Sequence, residues 1–100
     1  MTLGKKQRKF VLMIAELIKW AYAQGYEMTF GDAFAMTGHM KNSLHYSRLA
    51  IDLNLFKDGQ YLTSSEAHRP IGEYWESMGG TWGGRFKDGN HYSLEHEGRK

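Results

Sequence analysis

The spacing of hydrophobic residues predicts a long amphipathic helix near the start of the chain. Between Lys6 and Gln24, apolar side chains recur at intervals of three or four residues, which places them on one helical face. These side chains are Phe10, Ile14, Leu17 and Ala21. Gly25 follows directly and is a natural helix stop, because glycine adopts the left-handed conformation at low cost.

Alternation of apolar and polar positions predicts strands farther along. Tyr26 to Phe34 alternates and then breaks into the turn-like segment TGHMKNS. Leu49 to Phe56 alternates more clearly, so Asp52 should point away from the face that carries the leucines. An Asp-Gly turn in KDGQY, residues 57–61, predicts a short partner strand.

The second half of the chain predicts another helix and a last strand. Thr63 and Glu66 have the spacing of a capping box, and Pro70 suits a first helical turn. An apolar stripe follows and stops at Gly79-Gly80; it comprises Ile71, Tyr74, Trp75 and Met78. TWGGRFKDGN reads as a loop, and HYSLE reads as a strand with His91, Ser93 and Glu95 on one face. The sum is a small α+β domain, with an antiparallel sheet and two main helices packed on one side.

The chain length, net charge and lack of cysteine limit the number of domains, the partners and the metal ligands to be expected. A chain of 100 residues is enough for one domain and too short for two, so residues 1–100 should form a single domain, which we expect to be monomeric. The formal charge is only +2, which provides no large basic field for phosphate backbones, so we expect no nucleic-acid partner. There is no cysteine, so any metal would have to be bound by His, Asp or Glu.

The basic N-terminus resembles a signal peptide only superficially. Lys5, Lys6, Arg8 and Lys9 precede an apolar run, but Glu16 and Lys19 interrupt the pattern, and no small-residue cleavage site follows. No apolar stretch approaches the roughly 18 residues that a membrane span needs. We therefore expect neither a signal peptide nor a membrane span.

Histidines and carboxylates in two separate stretches suggest a metal site. Catalytic zinc takes three protein ligands from imidazole or carboxylate groups and keeps a position for water. His45, Asp52 and His91 are a sufficient set, and Asp88, three residues before His91, could act as a general base. Each signal has a structural alternative, since a strand aspartate often caps a turn and Asp-Gly-Asn-His is often only a turn.

The wider pattern resembles a known peptidase family. The motifs are Ser43-x-His45, Ala50-x-Asp52 and Asp88-x-x-His91-Tyr92, and the flanking text FGDAF, NSLHYSRLAIDLNLF, GEYWESMGGTWGGRF and DGNHYSLEH agrees. It is similar to the zinc peptidases of the D-alanyl-D-alanine carboxypeptidase family, and within it to the phage endolysins that cut the L-alanyl-D-glutamate bond of peptidoglycan.

The resemblance implies roles for individual residues and substrates. His45, Asp52 and His91 would bind zinc, Asp88 would be the catalytic acid and base, and Ser43 would support the ligand strand or the substrate. The partners would be peptidoglycan peptide stems. Without a signal peptide, such a protein would be made in the host cytoplasm and reach the cell wall after another protein opened the membrane.

One departure from the family pattern concerns the substrate. Family members carry an arginine soon after the Gly-Asp/Glu-Ala-aromatic stretch, and none stands there in this chain. Arg48 and Arg85 are possible substitutes, but neither occupies the family position, so the role is not transferred to them. Lys41 or His39, in the short loop, could take over part of the electrostatic work on the developing oxyanion. Trp82, in the glycine-rich loop, is a further candidate for lining a cleft.

Three classes of function stay open from the sequence. The first is a zinc peptidase, either an L-alanyl-D-glutamate endopeptidase or a D-alanyl-D-alanine carboxypeptidase. The second is a non-catalytic zinc-stabilised module that binds the cell wall, which the missing arginine favours. The third is a small nucleic-acid or regulatory protein, suggested by the basic first helix and opposed by the low net charge.

Overall fold

A computed structural model describes residues 1–38 and 43–100, and it confirms the predicted α+β class. Two helices, α1 (Leu3–Ala23) and α2 (Ser65–Ser77), pack with a small antiparallel sheet. The strands are β1 (Tyr26–Phe30), β2 (Ala50–Lys57), β3 (Gln60–Leu62), β4 (Thr81–Trp82) and β5 (His91–Ser93). Two short 3-10 helices, Leu44–Ser47 and Gly83–Phe86, precede β2 and β5 respectively.

Helix α1 forms as its apolar spacing predicts, but it begins at Leu3, three residues before the predicted start at Lys6. The Thr2 hydroxyl accepts a hydrogen bond from the Lys5 amide at 3.3 Å, which caps the N-terminus. The buried face comprises Phe10, Met13, Ile14, Leu17 and Ala21. Gly25, with φ of 91°, lies just after the helix end. Within the described residues, neither this helix nor α2 has the length and apolar character needed to cross a bilayer.

Strand β2 is the centre of the sheet and joins the two halves of the candidate site. It pairs with β1 along one edge and with β3 and β5 along the other, and β4 adds to β5. All of these pairings are antiparallel. The register of β2 and β5 sets Asp52 opposite His91, so residues far apart in sequence become cross-strand neighbours.

The strand predicted over Tyr26 to Phe34 is shorter in the structure. It ends at Phe30, although the main chain of Gly31 and Asp32 still makes two hydrogen bonds to Asp52, at 2.7 and 2.8 Å. Phe30 and Phe34 are both exposed. The alternation of aromatic residues therefore did not reflect burial in a core, and the strand was predicted too long.

Helix α2 begins with a different cap from the one predicted. The Ser64 hydroxyl, not that of Thr63, accepts a hydrogen bond from the Ala67 amide at 3.1 Å. As a result, Pro70 is the sixth residue of the helix and lies in its second turn. The Trp75 indole packs edge-on against Phe10 and donates to the main-chain oxygen of Ser93 at 3.0 Å. Helix α2 thus shares one core with α1 and the sheet.

The glycine-rich segment is more ordered than a plain loop. It contains β4 and the second 3-10 helix, both too short to leave a periodic signal in sequence. Strand β5 ends at Ser93, so Glu95 does not continue the face of His91 as predicted. All three residues of β5 are buried, because the strand is covered on both faces.

A buried histidine ties α2 to β5. His68 is 2% exposed, and its Nδ1 lies 2.8 Å from the Tyr92 hydroxyl. Burial lowers the pKa of His68 to about 4, partly offset by a hydrogen bond with the main chain of Leu62. Burial also raises the pKa of the Tyr92 hydroxyl. His68 is therefore neutral at neutral pH, and Tyr92 keeps its proton to donate to Nδ1.

Acid is expected to destabilise the fold through His68. Because the pKa of His68 falls from 6.5 to about 4 on folding, the unfolded chain binds more protons between these values. Lowering the pH through this window should reduce the free energy of unfolding by up to about 3 kcal/mol from this residue alone. Denaturant unfolding of metal-free protein between roughly pH 7 and 4 measures the slope.

The variant His68→Gln isolates this contribution. His91 also has a lowered pKa and adds to the wild-type slope, so the difference between the two proteins is the informative quantity. The variant should be less stable at neutral pH but should lose less stability on acidification. Equal slopes in the two proteins would show that His68 does not carry the effect.

Candidate metal centre

Three predicted ligands meet at the junction of β2, β5 and the first 3-10 helix. The Nε2 atom of His45 lies 3.2 Å from Oδ1 of Asp52, and Nδ1 of His91 lies 3.9 Å from the same oxygen. One ligand atom from each residue lies within 4.8 Å of the others, in the part of the chain that the structure describes. We call His45, Asp52 and His91 the triad.

The first 3-10 helix positions His45. The Ser43 hydroxyl accepts a hydrogen bond from the His45 amide at 3.2 Å and so caps this helix. Arg48, in the left-handed conformation with φ of 56°, ends the helix and turns the chain into β2. Ser43 therefore supports a triad residue through the main chain.

Hydrogen bonds fix the other two triad residues. The main chain of Asp52 is hydrogen-bonded to Gly31 and Asp32 on one side of β2. On the other side of β2, His91 of β5 lies opposite Asp52. The Nε2 atom of His91 lies 3.1 Å from the main-chain oxygen of Lys100. Because that oxygen can only accept, Nε2 carries the proton and Nδ1 presents a lone pair toward Asp52.

The electrostatics of the triad suit a cation. His45 is 2% exposed and His91 is 6% exposed. Burial lowers the pKa of His91, and the Lys100 oxygen and the carboxylates of Asp88 and Asp52 offset only part of this. A neutral imidazole is the form that binds metal. Two ring nitrogens and one carboxylate oxygen match the three-ligand donor set of catalytic zinc, so the residues present fit that ion.

Asp88 lies beside the triad without belonging to it. Its Oδ2 is 3.8 Å from Nδ1 of His91, and its side chain is 52% exposed. The Asp88 amide donates to the Gly83 oxygen at 2.9 Å, and the His91 amide donates to the Asp88 oxygen at 3.1 Å. This tight turn leaves the carboxylate facing both the triad and solvent, as an acid and base group requires.

Close packing against α2 keeps the turn in place. A Cβ atom on Gly89 would come within 2.4 Å of the Ser65 Cα, so only glycine fits there. The Trp82 indole donates to the Gly89 oxygen at 2.8 Å and is 1% exposed. Trp82 therefore supports the Asp88 turn from inside the core, and its burial excludes a position lining a cleft.

The residues that were candidates to replace the family arginine in binding substrate either make contacts of their own or lie outside the described residues. The Arg48 guanidinium lies over the Phe34 ring at 4.3 Å. Arg85 makes a bidentate pair with Glu76, at 2.9 and 2.8 Å. His39 and Lys41 lie outside the described residues. Arg48 and Arg85, the two candidates that the structure describes, thus contact Phe34 and Glu76 respectively.

Sequence reasoning missed the polar residues next to Asp88. Asn54 and Lys87 line a pocket that Asp88 also lines. Their positions carried a weak signal, since Asn54 follows Asp52 by two residues on one strand and Lys87 directly precedes Asp88. The motifs indicated that the two stretches meet at a metal site, but not that Asn54 and Lys87 would share a pocket beside it.

The fold and the triad together define a small α+β domain with a candidate metal centre on its sheet. A family model described as D-alanyl-D-alanine carboxypeptidase matches residues 37–94, more than half of the chain. The chain belongs to this family. The matched residues include the whole triad and Asp88, which supports a zinc peptidase of peptidoglycan in general. The curated proteins contain no match to the chain.

Proposed function

We propose that this protein is a zinc metallopeptidase that hydrolyses peptidoglycan stem peptides, and specifically an L-alanyl-D-glutamate endopeptidase of the phage endolysin type. The observation that carries the proposal is the triad with an accessible carboxylate 3.8 Å from one of its members. A purely structural metal site needs no such group. D-alanyl-D-alanine carboxypeptidase activity is the nearest alternative, because the family description names it.

The triad and Asp88 would divide the chemistry between them. Zinc held by His45, Asp52 and His91 would supply a Lewis acid that activates water and polarises the scissile carbonyl. Asp88 takes the proton from the attacking water and then passes it to the leaving amine. The hydrogen bond from Nε2 of His91 to the Lys100 oxygen keeps Nδ1 available throughout.

We propose that the whole chain forms one domain. Helix α1 lies before the matched residues, yet Phe10, Ile14 and Leu17 pack into the core with Trp75 and β2. Removing α1 would expose this core. We propose a monomer that is made in the host cytoplasm and acts on the cell wall after the membrane is opened, with no role for nucleic acid.

Digestion of purified peptidoglycan tests the function and identifies the bond. Zinc-loaded protein should release fragments whose new amino terminus is D-glutamate, and a chelator-treated portion of the same protein should release none. Free D-alanine in place of these fragments would show carboxypeptidase activity. Bound zinc and bound peptidoglycan without any new terminus would identify a non-catalytic wall-binding module.

A further inference from the structure

A polar pocket of about 190 Å³ adjoins the triad on the side of Asp88. Leu62, Ser65, His68 and Gly89 form part of its wall. Its other lining residues are Asn54, Tyr61, Thr63, Lys87, Asp88 and Asn90. Most of these side chains can donate or accept hydrogen bonds, which favours a polar ligand over an apolar one.

The pocket and the triad occupy one continuous face. Asn54 follows Asp52 by two residues on β2, so both side chains point to the same side of the sheet. The Asn54 amide donates to the Thr29 hydroxyl at 3.3 Å and accepts from the Tyr61 hydroxyl at 3.5 Å. These contacts fix the floor of the pocket, and Asp88 borders both the pocket and the triad.

Lys87 provides the positive charge of this pocket. It is the only lysine or arginine among the lining residues, as far as the described residues 1–38 and 43–100 define them. The nearby guanidinium groups are already engaged, since Arg69 pairs with Glu66 at 2.6 Å and Arg85 pairs with Glu76 at 2.8 Å. Lys87 is therefore the lining residue that can offer a positive charge to an anionic group in the pocket.

The position of Asp88 determines which side of the scissile bond extends into the pocket. A group that protonates the leaving amine must lie beside that amine, so the residue that carries the amine should extend from Asp88 into the pocket. In both candidate substrates this residue has a carboxylate on the carbon next to its amine. D-glutamate is linked onward through its side chain, and the second D-alanine is terminal.

We propose that this pocket binds the residue on the amine side of the scissile bond, and that Lys87 binds its α-carboxylate. The assignment rests on the proposed function. Lys87 would then contribute to substrate specificity in a chain that has no arginine at the family position. A stem peptide whose α-carboxylate is converted to the neutral carboxamide should then lose this contact.

Kinetics with paired substrates test the assignment. For peptides carrying the free α-carboxylate, Lys87→Gln should raise KM by about tenfold with little change in kcat, because a hydrogen bond to a charged group is lost. For the carboxamide peptides, the same variant should behave like the wild type. Lys87→Arg should retain most of the preference for the carboxylate. Lys19→Gln, on the exposed surface of α1, is the control for loss of one positive charge.

The outcomes separate this assignment from the proposed function. An equal effect of Lys87→Gln on both substrates, or no effect on either, would overturn the role of Lys87. If the wild type cleaves neither peptide, the peptidase proposal fails, and binding of the amine-side fragment γ-D-glutamyl-lysine to metal-free protein becomes the test. Amide shifts at Asn54 and Asn90 that disappear in Lys87→Gln would support the pocket, and no shifts in the wild type would refute it.

Discussion

Asp88→Asn is expected to lower kcat for stem-peptide hydrolysis by about 100-fold or more while leaving the metal bound. The amide has nearly the same shape as the carboxylate but cannot take a proton from water. Because Asp88 lies outside the triad, with Oδ2 3.8 Å from Nδ1 of His91, its loss of charge removes no ligand. The measurement is the rate of release of new amino termini, together with zinc content by elemental mass spectrometry.

Asp58→Asn is the matched control for this variant. Asp58 occupies the exposed turn between β2 and β3 with φ of 52°, a conformation that asparagine tolerates well. The same chemical change there should leave both kcat and zinc content unaltered. If Asp88→Asn instead keeps its zinc and hydrolyses peptide at the wild-type rate, Asp88 is not the acid and base, and the catalytic proposal in this form is wrong.

Long periodic segments were predictable because burial alone determines their pattern. The α1 stripe and the β2 alternation both reflect contact with one core, so their predicted bounds differ by only a few residues from those observed. Helix starts were less predictable, since Thr63 and Ser64 are adjacent hydroxyl residues and only the final backbone geometry selects Ser64 as the cap. Strand β4 has two residues and is held by pairing with β5, which no local pattern encodes.

The candidate site was likewise predictable only in part. The residue types of the triad were readable from motifs, whereas their meeting depends on the register that sets Asp52 opposite His91. Trp82 was predicted to line a cleft because it stands among glycines. Those glycines in fact give its indole room to pack: a Cβ on Gly84 would come within 2.1 Å of the ring. The same glycine signal therefore indicated close packing rather than an open loop.

His91→Ala is expected to abolish specific zinc binding. The wild type should contain about one zinc per chain after loosely bound ions are removed, as a three-ligand site implies. Loss of a partner behind a metal ligand typically weakens affinity by about 10- to 100-fold, so loss of the ligand itself should cost at least that much. Zinc should also raise the unfolding temperature of the wild type and have little effect on the variant.

His96→Ala provides the histidine control for the metal experiment. His96 faces Glu97 at 3.6 Å and lies outside the triad, so this variant should keep its zinc. Loss of zinc in both variants would indicate a general loss of structure rather than loss of a ligand, and circular dichroism of each variant separates these cases. A wild type that binds no zinc even after reconstitution would contradict the metal centre, because the buried triad would then be only a hydrogen-bonded part of the scaffold. The peptidase proposal would fall with it, and a wall-binding module would become the better interpretation of the fold.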